Sequence, residues 1–265
     1  MGSVFEYCSN YNMSLDPFQS GRIDAVYVIH ARKFADRAAH MAEQMARFGI
    51  HYELVEAHDP DQIDPALKAR LMAPDYPLTI GKFSCSLKHF EALRRIAARG
   101  HRCALVLEDD VLLDSNFNQK LSRILEEARR ITGPHTIQIG SGGNMFIPRH
   151  RLQAGRLLYE ADQVRTNEAF LIDAETARLR VAWLDRNQLH TATDHTFNII
   201  DRELGIRCYW SEPSLTTQGS INGTFRSSLD NGRENNPLWL VKVRFLWQRL
   251  RRKYLYQWFR VNPAK

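Results

Sequence analysis

The chain has 265 residues, of which 44% are hydrophobic and 10% aromatic, enough to bury a full core in one large domain and too apolar for a disordered chain. Its net charge of +6 is uneven: after Glu234 there is no acid, and eight cations from Lys242 to Lys265 leave a body of about −2 carrying a tail of +8. No apolar run of about 18 residues is present to span a membrane, the opening residues lack the pattern of a secretory signal, and Cys8, Cys85, Cys103 and Cys208 show neither zinc nor disulfide spacing. The cysteines read as reduced thiols of a cytosolic protein.

Residues 1–22 read as a leader without a hydrophobic period. Ala25 to His30 forms the first expected strand, and Phe34, Ala38, Met41, Met45 and Phe48 then recur at helical spacing until Gly49 stops the helix. His51 to Ala57 is the next strand. The order strand, helix, strand implies a right-handed crossover and a parallel pair, with the loop after the first strand a candidate for nucleotide binding.

A short helix is expected over Asp64 to Met72, and a longer one over Cys85 to Ile96 with Ser84 as its cap. Leu87, Phe90, Leu93 and Ile96 form the buried stripe of the longer helix, and His89 lies off it. Ala104-Leu-Val-Leu-Glu-Asp-Asp-Val111 is the stretch around which the rest is organised. Its apolar run reads as a strand covered on both faces, and its three acids fall at the strand's carboxyl end, where open α/β sheets bind ligands. Acids crowded there repel one another unless a cation compensates them, and oxygen ligands suit Mg²⁺ or Mn²⁺, which in turn holds a diphosphate. The plainer alternative is an acidic turn before a helix opened by Asp114 or Ser115.

Further along, Asn118 to Ile131 reads as a helix, His135 to Gly140 as a strand, and Gly140-Ser-Gly-Gly143 as a loop suited to a ligand or to a tight turn. Ala169 to Ile172 is a strand, Ala174 to Leu184 a helix, and a further helix runs to about Glu203 with Thr193 or Asp194 near its cap. Cys208 to Trp210 is the last strand expected, with a polar loop from Ser211 to Asp230. Finally, Val243, Trp247, Leu250, Tyr254, Trp258 and Val261 recur at helical steps among cations, giving a basic amphipathic helix over Lys242 to Val261. Such a helix fits an anionic membrane surface; the alternative is a helix packed on the body with a solvated basic face.

Taken together these motifs resemble glycosyltransferase family 25, which contains lipooligosaccharide galactosyltransferases and collagen galactosyltransferase domains. The resemblance rests on Tyr27 through Arg37, on Gly81-Lys-Phe-Ser-Cys-Ser-Leu-Lys-His89, on the acidic signature Ala104 to Val111, on Thr166 to Ile172, and on Pro213, Gln218, Ser220 and Ile221. The sequence departs from the family pattern at His30, where Asn is usual, at Ser84, which replaces a Gly, and at Lys88, which replaces a Ser.

The resemblance implies an α/β fold of the GT-A-like, nucleotide-sugar-binding kind with a mixed central sheet, over residues 23–232, followed by the C-terminal helical segment 233–265. It implies an inverting, metal-dependent transfer of a sugar, galactose by family habit, from a UDP-sugar to a lipopolysaccharide-core, capsule or other membrane-linked glycan. Asp110 and Glu108 would hold the Mn²⁺ or Mg²⁺. Arg37, His89, Glu108, Asp109, Ser141 and Gly142 would line the donor site, and Asp194 would be the base, with His195 a weaker alternative and helix capping the plainer role for Asp194. The expected setting is the cytoplasmic face of the membrane, with the C-terminal helix on anionic lipid and no nucleic-acid partner. The rival reading is a catalytically inactive membrane-associated adaptor of the same fold.

Overall fold

A computed structural model describes residues 16–225 and 237–255. A mixed sheet of seven strands forms its centre, in the spatial order β2-β1-β3-β7-β5-β8-β6. In chain order the strands are β1 (Ala25–Ile29), β2 (Glu53–Val55), β3 (Ala104–Glu108), β5 (His135–Gln138), β6 (Leu158–Ala161), β7 (Ala169–Ile172) and β8 (Arg207–Ser211). A separate antiparallel pair joins β4 (Val111–Leu113) to β9 (Thr216–Gln218). The helices are α1 (Ala35–Phe48), α2 (Pro65–Leu71), α3 (Ile80–Arg99), α4 (Phe117–Ala128), α5 (Ala174–Leu184), α6 (Thr193–Leu204), the single turn α7 (Gly219–Asn222) and α8 (Leu238–Leu250), which runs on through Arg251–Leu255.

β1 pairs in parallel with both β2 and β3, as the strand-helix-strand reading requires. β7 then enters antiparallel between β3 and β5, which makes the sheet mixed. Successive residues of β1 and β3 feed opposite layers. Tyr27, Ile29, Ala104 and Val106 pack with Phe83, Leu87 and Phe90 of α3, whereas Val26, Val28, Leu105 and Leu107 pack with Met41 and Met45 of α1 and Leu121 of α4. Both faces of the acidic strand are therefore covered, which is why it is apolar without alternation.

Several boundaries differ from the sequence reading. The long helix α3 starts at Ile80, with the Thr79 side chain accepting from Lys82 N; Ser84 lies inside it and its hydroxyl donates instead to the carbonyl of His58 at 2.6 Å. Residues 16–22 of the expected leader are tied to the domain: Asn118 donates to Asp16, and Arg22 donates to Ser122. The stretch expected to be a loop after Ser211 contains β9 and α7, and β4 and β6 are further short strands whose pairing partners are distant in sequence. α6 begins at Thr193 without a side-chain cap; Asp194 accepts only from the adjacent His195 N, so helix capping is not its role.

The C-terminal helix begins at Leu238 rather than Lys242 and is held to the body by Phe245, while Val243, Trp247, Leu250 and Tyr254 of the apolar stripe read from the sequence are each about half exposed. Phe245 lies on the opposite side of the helix and fixes which face meets the body. Trp258 and Val261 lie outside the described residues. No described helix is long and apolar enough to cross a membrane.

Candidate functional site

Because β1 and β3 are parallel, their carboxyl ends bring His30 and Arg37 from one crossover against Glu108, Asp109 and Asp110 from the other. The three acids have three different environments. Asp109 is bound on both oxygens: Arg37 Nη1 donates to one at 2.9 Å, and His30 Nδ1 lies 2.8 Å from the other. All three side chains are buried. Arg37 and Asp109, expected at the nucleotide, are thus engaged first with each other, and they fasten α1 to the sheet.

Glu108 accepts from Gln218 Nε2 at 2.8 Å, and its other oxygen lies 3.3 Å from His89 Nε2. His89 is fully buried behind Glu108, against the rings of Phe170 and Phe197. Burial lowers its pKa to about 3, so the ring is neutral. The sequence expectation of a donor-site contact is corrected accordingly: His89 positions Glu108 and does not itself line the cavity.

Asp110 receives Ser220 N on one carboxylate oxygen at 3.0 Å and Gly219 N on its backbone carbonyl at 2.7 Å. Its other carboxylate oxygen, Oδ1, is buried without a hydrogen-bond partner. Gly219 is required there, since a Cβ would meet the Asp110 carbonyl at 2.7 Å and the Phe225 ring at 2.5 Å. Burial pushes Glu108 up to about 7, with the charge of Asp109 adding to the rise, and pushes Asp110 up to about 6, with Glu108 adding. These are carboxylates held in want of positive charge.

A cavity of about 240 Å³ opens beside these acids; Lys33, Phe34, Arg37, Lys82, Cys85 and Asp110 are among its walls. Two ligand sets can be tested against it. Cys85, His89 and Glu108 offer atoms within 4.8 Å of one another. Against that set, burial holds the Cys85 thiol well up in its protonated form, and His89 Nδ1 has no acceptor to fix the ring as metal-bound histidines usually require. Asp110 and Glu108 form the second set. The open oxygen of Asp110 and an all-carboxylate environment fit a hard divalent cation such as Mg²⁺ or Mn²⁺.

The three departures from the family pattern are all satisfied inside the protein. His30 meets Asp109; Ser84 meets the His58 carbonyl; and the fully buried Lys88 pairs with Asp59 at 2.8 Å while donating to the carbonyls of Glu56 and Ala57. They brace the loops around the cavity.

Sequence reasoning missed Glu168. It lies beneath the Gly140–Gly143 loop, accepting from Ser141 N at 2.6 Å and from the Thr166 hydroxyl at 3.0 Å, and a Cβ on Gly140 would collide with its side chain. Ser141 and Gly142, expected at the donor sugar, are hooked onto Glu168 and do not line the cavity. The signal was present in Thr166-Asn-Glu168, but an acid in a loop before a strand gives no hint of what it will cap.

Burial pushes Glu168 up from 4.5 to about 7. Protonation of the folded form therefore supplies stability that is full below about 4.5 and is lost as pH rises through about 7. Glu168→Gln should remove this dependence. The stability of wild type relative to the variant should fall by on the order of 3 kcal/mol across that interval, measured by urea unfolding at its two ends.

Asp194 is carried to the same end of the sheet by α6, whose Thr193 hydroxyl shares a 2.8 Å hydrogen bond with Ser86 of α3. It is partly exposed, and its charge acts on both Glu108 and His89. It does not line the cavity, so it stands beside the acidic cluster rather than within it.

A mixed-sheet α/β domain with a carboxylate-walled cavity at the carboxyl ends of two parallel strands is the class of protein defined here. Residues 23–140 match the family described as Glycosyltransferase family 25 (LPS biosynthesis protein), the family that the motifs resemble. Among curated relatives, a Glycosyltransferase 25 family member of Aedes aegypti is 27% identical over 128 residues, covering 44% of this chain and 21% of that protein. Procollagen galactosyltransferase 2 of Mus musculus is 31% identical over 114 residues, 39% of this chain and 18% of that protein. Inactive glycosyltransferase 25 family member 3 of Homo sapiens is also 31% identical over 114 residues, 39% of this chain and 19% of that protein. The matched stretch thus spans about a fifth of these relatives' length. The family match includes Arg37, His89 and the acidic triplet and ends before Ser141, Glu168 and Asp194.

Proposed function

We propose that the chain is a glycosyltransferase that takes a UDP-sugar, with galactose the sugar favoured by its relatives' names, and transfers it with inversion to a membrane-linked glycan acceptor such as a lipopolysaccharide core or capsule. The observation that carries this reading is the buried, unpartnered Asp110 oxygen at the cavity. Asp110 and Glu108 would hold Mn²⁺ or Mg²⁺, which supplies charge to offset the diphosphate as it leaves. The reading follows the GT-A-like arrangement that the mixed sheet is compatible with.

The remaining work falls to the chain's own residues. Gln218 and His89 hold Glu108, Ser220 N holds Asp110, and Lys33 and Lys82 on the cavity wall meet phosphate oxygens. Asp194 takes the proton from the acceptor hydroxyl, which is a poor nucleophile until it is removed. Its position beside Glu108, partly open to solvent, supports that role. Asp194→Asn should lower turnover by about a hundredfold or more while leaving UDP affinity and thermal stability unchanged. Equal turnover in the variant would remove the assignment.

The inactive relatives favour a second reading, an adaptor of the same fold. Calorimetric titration of the full chain with UDP, with and without Mn²⁺, separates the two. The transferase reading expects metal-dependent binding; heat-silent titrations under both conditions would favour the adaptor.

A further inference from the structure

We propose that α8 docks the protein on an anionic lipid bilayer through one defined face, and that its other face braces the loops of the catalytic site. Trp239, Val243, Leu246, Trp247 and Leu250 fall within an arc of about 100° on a regular helix. Each is 47–67% exposed, and Tyr254 in the following turn is 52% exposed. The exposed Lys242 and Arg249 flank this arc on one side and Arg244 on the other. Apolar and aromatic residues bordered by cations on both sides form the surface that lies at a headgroup boundary: rings enter the acyl edge, and lysine and arginine stems reach phosphates.

Charge selects the occupant. No acid follows Glu234, so a second copy docking through the same face would set cations against cations, whereas an anionic bilayer complements the rim and the stripe together.

The inner face of the helix is tied to the site. Asn144 Nδ2 donates to the Phe245 carbonyl at 3.2 Å, and Arg252 Nη1 donates to the Gly143 carbonyl at 3.1 Å. Gly223, at the end of α7, lies so close that a Cβ would meet the Leu238 carbonyl at 2.7 Å. α7 carries the Gly219 and Ser220 amides that hold Asp110, and Gly143 belongs to the loop hooked by Glu168. The docking helix is thus mechanically continuous with α7, whose Ser220 and Ile221 wall the cavity, and with the Gly140–Gly143 loop beside it, an arrangement suited to an acceptor embedded in the same membrane. That last step rests on the transferase reading; the docking does not.

The test is co-sedimentation of the full chain with vesicles of phosphatidylcholine alone and of equal parts phosphatidylcholine and phosphatidylglycerol. Wild type should pellet with the anionic vesicles and stay in solution with the neutral ones. The double variant Trp247→Glu, Leu250→Glu should lose at least about tenfold in partitioning. Both proteins are also titrated with UDP and Mn²⁺ without lipid, and the double variant should match wild type. Wild type left in the supernatant, a double variant that pellets as wild type, or a lipid-independent dimer abolished by the same substitutions would overturn the docking. Vesicle binding without any UDP binding would uphold the docking and remove the transferase reading instead.

Discussion

Asp109→Ala is expected to cost about 3–5 kcal/mol of folding stability, the range for breaking a buried ion pair by deleting one partner. Asp109 accepts from Arg37 on one oxygen and meets His30 on the other, and all three side chains are nearly excluded from solvent. Alanine removes the carboxylate that His30 and Arg37 share, at the point where α1 is fastened to the end of β3. Urea unfolding at neutral pH measures the loss, and Asp109→Asn, which keeps the shape and part of the hydrogen bonding, should fall between. Unchanged stability with weakened UDP binding alone would mean that this acid and Arg37 face the nucleotide after all.

Asp110→Asn should have the opposite profile. The amide oxygen can still accept from Ser220 N, so the local fold survives. Without added cation the variant should be at least as stable as wild type, because burial and the neighbouring Glu108 already push the Asp110 carboxyl up to about 6 and an amide removes that cost. Metal-dependent UDP affinity should nevertheless fall by about a hundredfold or more, since the position of the open oxygen is then taken by an uncharged amide NH2, which cannot ligate a cation. Calorimetry for the ligand and a thermal midpoint for the fold, measured on the same preparation, separate the two effects.

The contrast between these neighbouring acids shows what the sequence could convey. Glu108-Asp109-Asp110 at the end of an apolar strand announced a site, because four uninterrupted apolar residues required cover on both faces and the acids had to fall beyond it. Which acid is braced and which is open depends on His30, Arg37, Gln218 and Ser220, brought in from other elements. No local pattern encodes that. His89 was legible as part of a motif, but its burial was not, because α3 is covered by α5 and α6 beyond the single stripe its periodicity suggests. Short strands such as β4 and β9 were illegible for a related reason: three residues carry no usable period, and each exists through the other. The basic helix was legible as amphipathic, yet one contact residue, Phe245, decided which face turned outward.

On the transferase reading proposed above, Asp110 would offer its free oxygen to a divalent cation that carries the donor diphosphate. Crystals grown with UDP and Mn²⁺ test it through the anomalous signal of the metal. A single peak is expected beside Asp110 Oδ1 and Glu108, the residues that would hold the cation, at the cavity where UDP would bind. A peak seated among Cys85, His89 and Glu108, or UDP bound away from the acidic strand end, would contradict it.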